Sequence, residues 1–302
     1  MLSLRTLSLL LALSMPAGAL TVPHLAGTTE IKTTPKRIVV LEFGFMDALA
    51  KLGVKPVGIA ADGDTAADVL PHLRKYYGPA LPTVGNRHSP SLERILALKP
   101  DLIIADENDH RTIYPQLGRI APTLLLRSYR GTYKDQLDQF GLISKIVGKE
   151  ALGKAVLADH TRLFAKVKAT SSPKAGKMVV GVLTPNGFYV HSDRSYVGSL
   201  LEALGRDNPT RMRDDQTQYQ LSLEGLSALN PDTLVVLYNA EHQAAFDRFK
   251  AEPLVQALPA GKHNRVYTFN RDLWAKGRGV IGLEHILSDM FSSRVLSGKA
   301  AR

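Results

Sequence analysis

The sequence predicts an α/β chain of two lobes joined by one long helix. Three observations carry this. Short runs that are apolar on both faces alternate with helical spacing in each half, one eleven-residue segment recurs in both halves, and a long amphipathic stretch lies between them. At 302 residues the chain has room for two such lobes.

Residues 1–19 read as a secretory signal, with Arg5 as a basic start, an apolar run from Leu7 to Met15, and Ala17-Gly18-Ala19 as a small-residue cleavage site. The run is shorter than the roughly 20 residues of a membrane span, and Pro16 interrupts it. The first lobe is expected over 20–132. Ile38 to Leu41 is a buried strand, Phe45 to Leu52 a helix ending at Gly53, and Val57 to Ala60 a second strand. Ser91 to Leu98 is helical, Pro100-Asp101 turns, and Leu102 to Ala105 and Thr123 to Leu126 are strands.

The linking helix is expected over 133–170, with apolar residues from Leu137 to Val167 on one face and a break near Gly148. The second lobe, 171–302, repeats the scheme with strands at Met178 to Leu183, Leu234 to Leu237 and Arg265 to Phe269, and a helix from Gly198 to Leu204. Ser91-Leu92-Glu93-x-x-x-Ala97-Leu98-x-Pro100-Asp101 recurs as Ser222-Leu223-Glu224-x-x-x-Ala228-Leu229-x-Pro231-Asp232. Seven matches at identical spacing mark two related lobes.

Composition narrows the function. There is no cysteine, which excludes disulfides, thiolate nucleophiles, Cys-ligated metals and a lipid-modified cysteine. Thirty-eight basic against 28 acidic residues give +10, or 37 − 28 = +9 without Arg5, a balance that suits anionic partners. The basic residues form no arginine-rich tract, so nucleic acid is not expected. Gly277-Arg278-Gly279-Val280-Ile281-Gly282 matches a dinucleotide-binding pattern, but too little chain follows for a complete βαβ unit, so its glycines are expected to shape a loop and a helix start. No nucleophile elbow, Walker loop or metalloprotease helix occurs, and the chain is not expected to be an enzyme.

The stretch Arg37 to Glu42, the two Ser-Leu-Glu segments and Val84-Gly85-Asn86-Arg87 resemble the class III periplasmic binding proteins of iron–siderophore and vitamin B12 transporters. The likeness covers nearly the whole chain after the signal. Arg37 to Leu49, Pro56 to Ala60, Val84 to Asp106, Ile120 to Leu126 and Trp274-Ala275-x-x-Arg278-Gly279 resemble its ferric citrate branch. The resemblance implies two Rossmann-like lobes with a ligand cleft between them, and a soluble, monomeric periplasmic carrier. It implies capture of an anionic ferric chelate for an inner-membrane ABC permease dimer, with no cofactor and no iron ligand from the protein. It also implies that Glu93 and Glu224 dock on the two permease subunits.

Open α/β sheets place ligand groups on loops beyond the strand ends. That rule, joined to the resemblance, selects Phe43, Arg87, His110, Arg130, His191, Arg194, Tyr196, Trp274 and Arg278, in a wider set that includes Glu42, Arg111 and Arg271. Arg87 and Arg278 lead, because guanidinium groups bind carboxylates in bidentate fashion. For Arg111, Arg130 and Arg194 a solvated surface position is an equal reading, as it is for His110 and His191. Trp274 and Tyr196 are expected to face each other across the cleft, and Tyr189 to be structural. Two alternatives stay open: haem, another siderophore or cobalamin as ligand, with Tyr196 or His191 as axial haem ligand, and an exported α/β enzyme acting on an anionic substrate.

Overall fold

The computed structural model describes residues 19–78 and 81–301. The signal segment lies outside them apart from Ala19. The first lobe contains β1 (Leu20–His24), β2 (Gly27–Ile31), β3 (Ile38–Val40), β4 (Gly58–Ala61), β5 (Thr83–Asn86), β6 (Ser89–Pro90), β7 (Leu102–Asp106) and β8 (Thr123–Leu126). Six of these form one sheet in the order β6-β5-β4-β3-β7-β8, parallel except for the β5–β6 pair. β1 and β2 form a separate hairpin laid on the edge strand β8, where the Leu25 amide donates to the Leu125 carbonyl and the Thr29 hydroxyl to that of Thr123. This covers an edge that would otherwise offer free backbone groups.

The second lobe contains β9 (Met178–Thr184), β10 (Gly187–His191), β11 (Gln218–Leu221), β12 (Thr233–Tyr238) and β13 (Val266–Asn270), in the order β11-β10-β9-β12-β13. The parallel set β9-β12-β13 is the counterpart of β3-β7-β8. In each lobe the Ser-Leu-Glu segment opens a helix, Leu92–Ala97 or Leu223–Leu229, whose serine hydroxyl caps the third backbone amide after it. The repeated aspartate then ties the crossover to the residues that lead into β3 or β9. Asp101 accepts from the Lys36 and Arg37 amides at 2.8 Å each, and Asp232 from the Lys177 amide at 2.9 Å.

β10 and β11 are antiparallel, unlike the parallel strands around them. Only Pro185 and Asn186 separate β9 from β10, and so short a connection closes a hairpin, not a crossover.

The linking segment expected over 133–170 is not one long helix but a hairpin of two, because the chain reverses at the break near Gly148. A capping box at Thr132 and Asp135 starts the helix Tyr133–Ile146, and Gly148, at φ +69°, turns the chain into the returning helix Glu150–Lys168. The two pack along their length: Tyr133 stacks on Phe164 with ring centres 5.5 Å apart and its hydroxyl meets His160 at 2.9 Å. Phe140, Ile143 and Ile146 enter the first lobe's core, while Tyr133 and Leu137 pack on the second's. A second tie is not evident in the sequence. The last helix, Val280–Ser293, sends Val280 and Ile281 into the first core and Leu283, Ile286, Leu287 and Met290 into the second. No helix of the described residues is long and apolar enough to cross a membrane.

Ile281, 2% exposed, therefore belongs to the lobe remote from it in sequence. Ile281→Ala is expected to cost about 2–5 kcal/mol in chemical denaturation, as for other large-to-small core changes. A loss below 0.5 kcal/mol would remove the last helix from that core.

Candidate functional site

The site is built around a buried carboxylate. Glu42 lies two residues beyond β3 and caps the helix Phe43–Lys51 through the Gly44 amide at 3.0 Å. The same side chain accepts from the Ser128 hydroxyl at 2.9 Å, from Arg87 at 2.8 Å and from Arg278 at 3.4 Å. Arg87 and its neighbour His88 form the two-residue turn between β5 and β6. Arg87 is only 4% exposed and also pairs with Asp62 at 2.6 Å. Burial works against the Arg87 charge, but Glu42 and Asp62 more than offset it and hold its pKa above the ordinary value. Burial would likewise raise Asp62, yet Arg87 and Lys276 hold that carboxyl below its usual range. Lys276 reaches Asp62 at 2.6 Å from the far side of the cleft.

A second carboxylate shapes the loop after β8. Asp106 ends β7 and accepts from the amides of Ser128 at 2.7 Å and Tyr129 at 2.8 Å, as well as from Asn108. Burial and the nearby Glu42 charge push it up to about 6 against the pull of those amides. The loop so held presents the Tyr129 ring to both arginines, with guanidinium carbons 5.2 Å (Arg87) and 4.8 Å (Arg278) from its centre. Phe43 lies under Arg87 at 5.2 Å.

Two cavities open between the lobes. One, of about 550 Å³, is lined by Tyr129 from the first lobe and by Tyr189, His242, Arg271, Lys276 and Arg278 from the other side, with Asn186, Gln218 and Thr184 among its polar groups. No carboxylate lines it. The other, of about 610 Å³, has Arg127, Arg130 and Arg194 beside Asp106, Glu107, Asp135 and Asp215. Its charge is largely spent internally: Arg127 pairs with Glu107 at 2.9 Å, and Arg130 donates to the Asp215 carbonyl at 3.1 Å. The first cavity is lined by Arg271, Lys276 and Arg278 with no carboxylate among its lining residues, although behind that lining Lys276 pairs with Asp62 and Asp272 and Arg278 reaches Glu42 at 3.4 Å.

Arg278 faces the first cavity, and Arg130 and Arg194 face the second. Arg87 lies behind Tyr129, joined to Arg278 through Glu42. Five expected contacts lie elsewhere. Trp274 is fully buried in the second lobe's core, stacked on Phe269 at 4.3 Å with its indole N–H donating to Asp289 at 2.9 Å. It sits in the π-helical turn Asp272–Lys276, which buries Trp274 and Ala275 while Lys276 lines the first cavity. Tyr196 is 2% exposed and its hydroxyl is taken by backbone carbonyls, so it does not face Trp274 across the cleft. Phe43 is a core residue.

His110 accepts the Asp106 amide proton and donates to the Arg87 carbonyl at 2.7 Å, which makes it a brace for the Arg87 turn. His191 is fully buried with both ring nitrogens unpartnered. Neither it nor Tyr196 lines a cavity as an axial ligand would. Tyr189, expected to be structural, does line the first cavity. Tyr129, Lys276 and His242 were not anticipated. Tyr129 lies between Arg127 and Arg130 on a loop the strand-end rule had already selected, so attention to aromatic as well as charged residues there would have found it.

The periplasmic binding protein family model matches residues 38–273. The chain is 39% identical over 273 residues to the Fe(3+) dicitrate-binding periplasmic protein FecB of Escherichia coli, covering 90% of this chain and 89% of that one. It is 39% identical over 267 residues to the Fe(3+)-citrate-binding protein YfmC of Bacillus subtilis, covering 87% and 82%. Among solved structures, Staphylococcus aureus SirA complexed with staphyloferrin B superposes with a TM-score of 0.76 at 26% identity, covering 90% of this chain and 97% of that one.

Burial and the Arg278 charge push His191 down to about 3. From pH 6.5 downward the unfolded chain takes up a proton at this residue that the folded chain refuses, so the folded state loses stability as pH falls toward 3. Between pH 6.5 and 4.5 the wild type should lose on the order of 2–3 kcal/mol more than His191→Leu, whose core is apolar there. Parallel loss in both proteins, followed by urea unfolding, would show that His191 is not the group concerned.

Proposed function

The chain belongs to the periplasmic binding protein family, and on that premise we propose that it captures ferric citrate between its lobes and delivers it to an inner-membrane ABC permease. The observation that carries the ligand is the carboxylate-free, cationic cavity of about 550 Å³ at Arg278, Arg271 and Lys276. Ferric citrate presents carboxylates around an iron already ligated by oxygen. Planar guanidinium groups match those carboxylates two bonds at a time, and in a partly desolvated cavity such charge-assisted bonds are stronger than neutral ones. Tyr129 and Tyr189 supply flat apolar walls with polar tips. The ferric citrate carriers among the relatives support the same reading.

Arg278 is the principal ligand contact in this reading, and Arg87 sets Tyr129 and Glu42 behind it. Iron stays within the chelate and the protein carries out no reaction. The carrier works as a soluble periplasmic monomer. Glu93 and Glu224 are its permease contacts: both are exposed at equivalent helix starts. Each carboxyl is held below its usual range by its own backbone amide and the neighbouring Ser91 or Ser222 hydroxyl, so both present charge at neutral pH. Two equivalent carboxylates suit a receptor of two subunits.

Calorimetric titration with ferric citrate, iron-free citrate, haem and ferrichrome tests the ligand. Saturable binding of ferric citrate is expected, weakened about 10- to 100-fold in Arg278→Ala, the effect of one lost charged hydrogen-bonding group. Binding of haem without response to ferric citrate would reverse the assignment. For docking, the Glu93→Ala/Glu224→Ala double variant should bind ferric citrate normally and support transport at least about 10-fold more slowly in permease proteoliposomes. Undiminished transport would sink that role.

A further inference from the structure

The loop that carries Arg278 is gripped from both lobes by groups that do not reach the cavity. From the first lobe comes Asp47, on the helix Phe43–Lys51, with no exposed surface. One carboxylate oxygen accepts from the Ile281 amide at 2.9 Å and the other from the Gly282 amide at 3.0 Å. From the second lobe comes Tyr196, whose hydroxyl donates to the Gly277 carbonyl at 3.2 Å, with that of Gly279 at 3.4 Å. Arg278 lies between the gripped positions.

The loop's glycines fit this arrangement. Gly279 has φ +130°, and a side chain there would meet the Asp47 carboxyl carbon at 2.4 Å, while one at Gly282 would meet the Gly277 carbonyl oxygen at 1.5 Å. The G-x-G-x-x-G pattern thus does have an anion at its helix start, and the anion is a side chain of the same protein.

We infer that Asp47 and Tyr196 are positioning residues for Arg278, setting from the two lobes where its guanidinium stands in the cavity and thereby setting ligand affinity without touching the ligand. This rests on the reading of Arg278 as a ligand contact. The Arg278 side chain is 3% exposed, its guanidinium 3.4 Å from Glu42 and 4.8 Å from the centre of the Tyr129 ring, with no partner at Nε. Both contacts come from the first lobe, so where the gripped backbone holds its Cα decides how the guanidinium sits against them and toward the cavity. The charged and titratable groups facing Asp47 are Lys51 on its own helix, Glu284 on the last helix, Tyr77 from the helix Pro71–Tyr77, and Tyr196. Lys51 and Glu284 pair with each other at 2.7 Å. Burial pushes Asp47 up to about 7, so it can take up a proton near neutrality and cease to accept both amides.

The test is a double-mutant cycle read as ferric citrate affinity by calorimetry. Asp47→Asn, which keeps the shape but cannot accept at both atoms, should weaken binding about 5- to 20-fold when Arg278 is present and less than about 2-fold in the Arg278→Ala background. Tyr196→Phe, which keeps the ring packing, should behave the same way with about 3- to 10-fold. The affinity ratio of wild type to Asp47→Asn should shrink from pH 8 to pH 6 as Asp47 protonates, and ligand titration cancels in that ratio. Amide exchange at Ile281 and Gly282 should be slow in the wild type and faster in Asp47→Asn without ligand, which reports the grip independently of what binds. Equal weakening by Asp47→Asn in both backgrounds, or unchanged affinity beside faster exchange, would overturn the inference. If Arg278→Ala alone leaves affinity untouched while exchange behaves as described, the ligand role of Arg278 is what fails, and the positioning role for the ligand fails with it.

Discussion

Just past β3, where the backbone turns into a helix, a carboxylate with 1% exposure must be satisfied without water. Glu42 meets that demand with an amide, a hydroxyl and two guanidinium groups, one from each lobe. A buried ion pair of this kind adds little net stability, since desolvation consumes most of the attraction. Its effect is geometric. A surface arginine samples many rotamers, whereas Arg87 and Arg278 are already ordered against Glu42 and Tyr129. The cavity, the position of Tyr129 and the approach of the lobes all follow from where that carboxylate stands.

The duplicated and the divergent parts of the chain have different work. The repeated segment supplies the parallel core, the serine caps and the aspartates that fasten crossover to strand, and it is nearly the same in both lobes. The lobes part company on the other side of their central strands. There the first continues with parallel β4 and β5 and ends in the Arg87 turn, and the second folds back as the β9–β10–β11 meander that walls the cavity. Symmetry is kept at the exposed glutamates and dropped around the cavity.

Most of the fold was legible because its signals are local. The strand at 102–106, the strand at 123–126 and the break at Gly148 each follow from a few adjacent residues. Strand direction was less so: whether β10 runs with or against β9 depends on a connection only two residues long. At the site, loops could be selected by rule, but side-chain direction could not. Trp274 and Tyr196 sit on the selected segments and turn inward, because each has a fixed internal partner, Asp289 or the carbonyls of the Arg278 loop. Those partners lie 15 and 81 residues away, beyond any periodicity. Glu42 was visible on its loop, while its bond to Arg278 joins residues 236 apart and is a property of the folded chain alone.

The last helix bears on how the chain becomes a protein. Its first turn completes the core of the first lobe, from which it is separated in the chain by the strands of the second. Contacts of such long sequence separation form slowly. The first lobe borrows part of its interior from the far side of the second, so fraying of the last helix opens both cores together and the lobes share one stability.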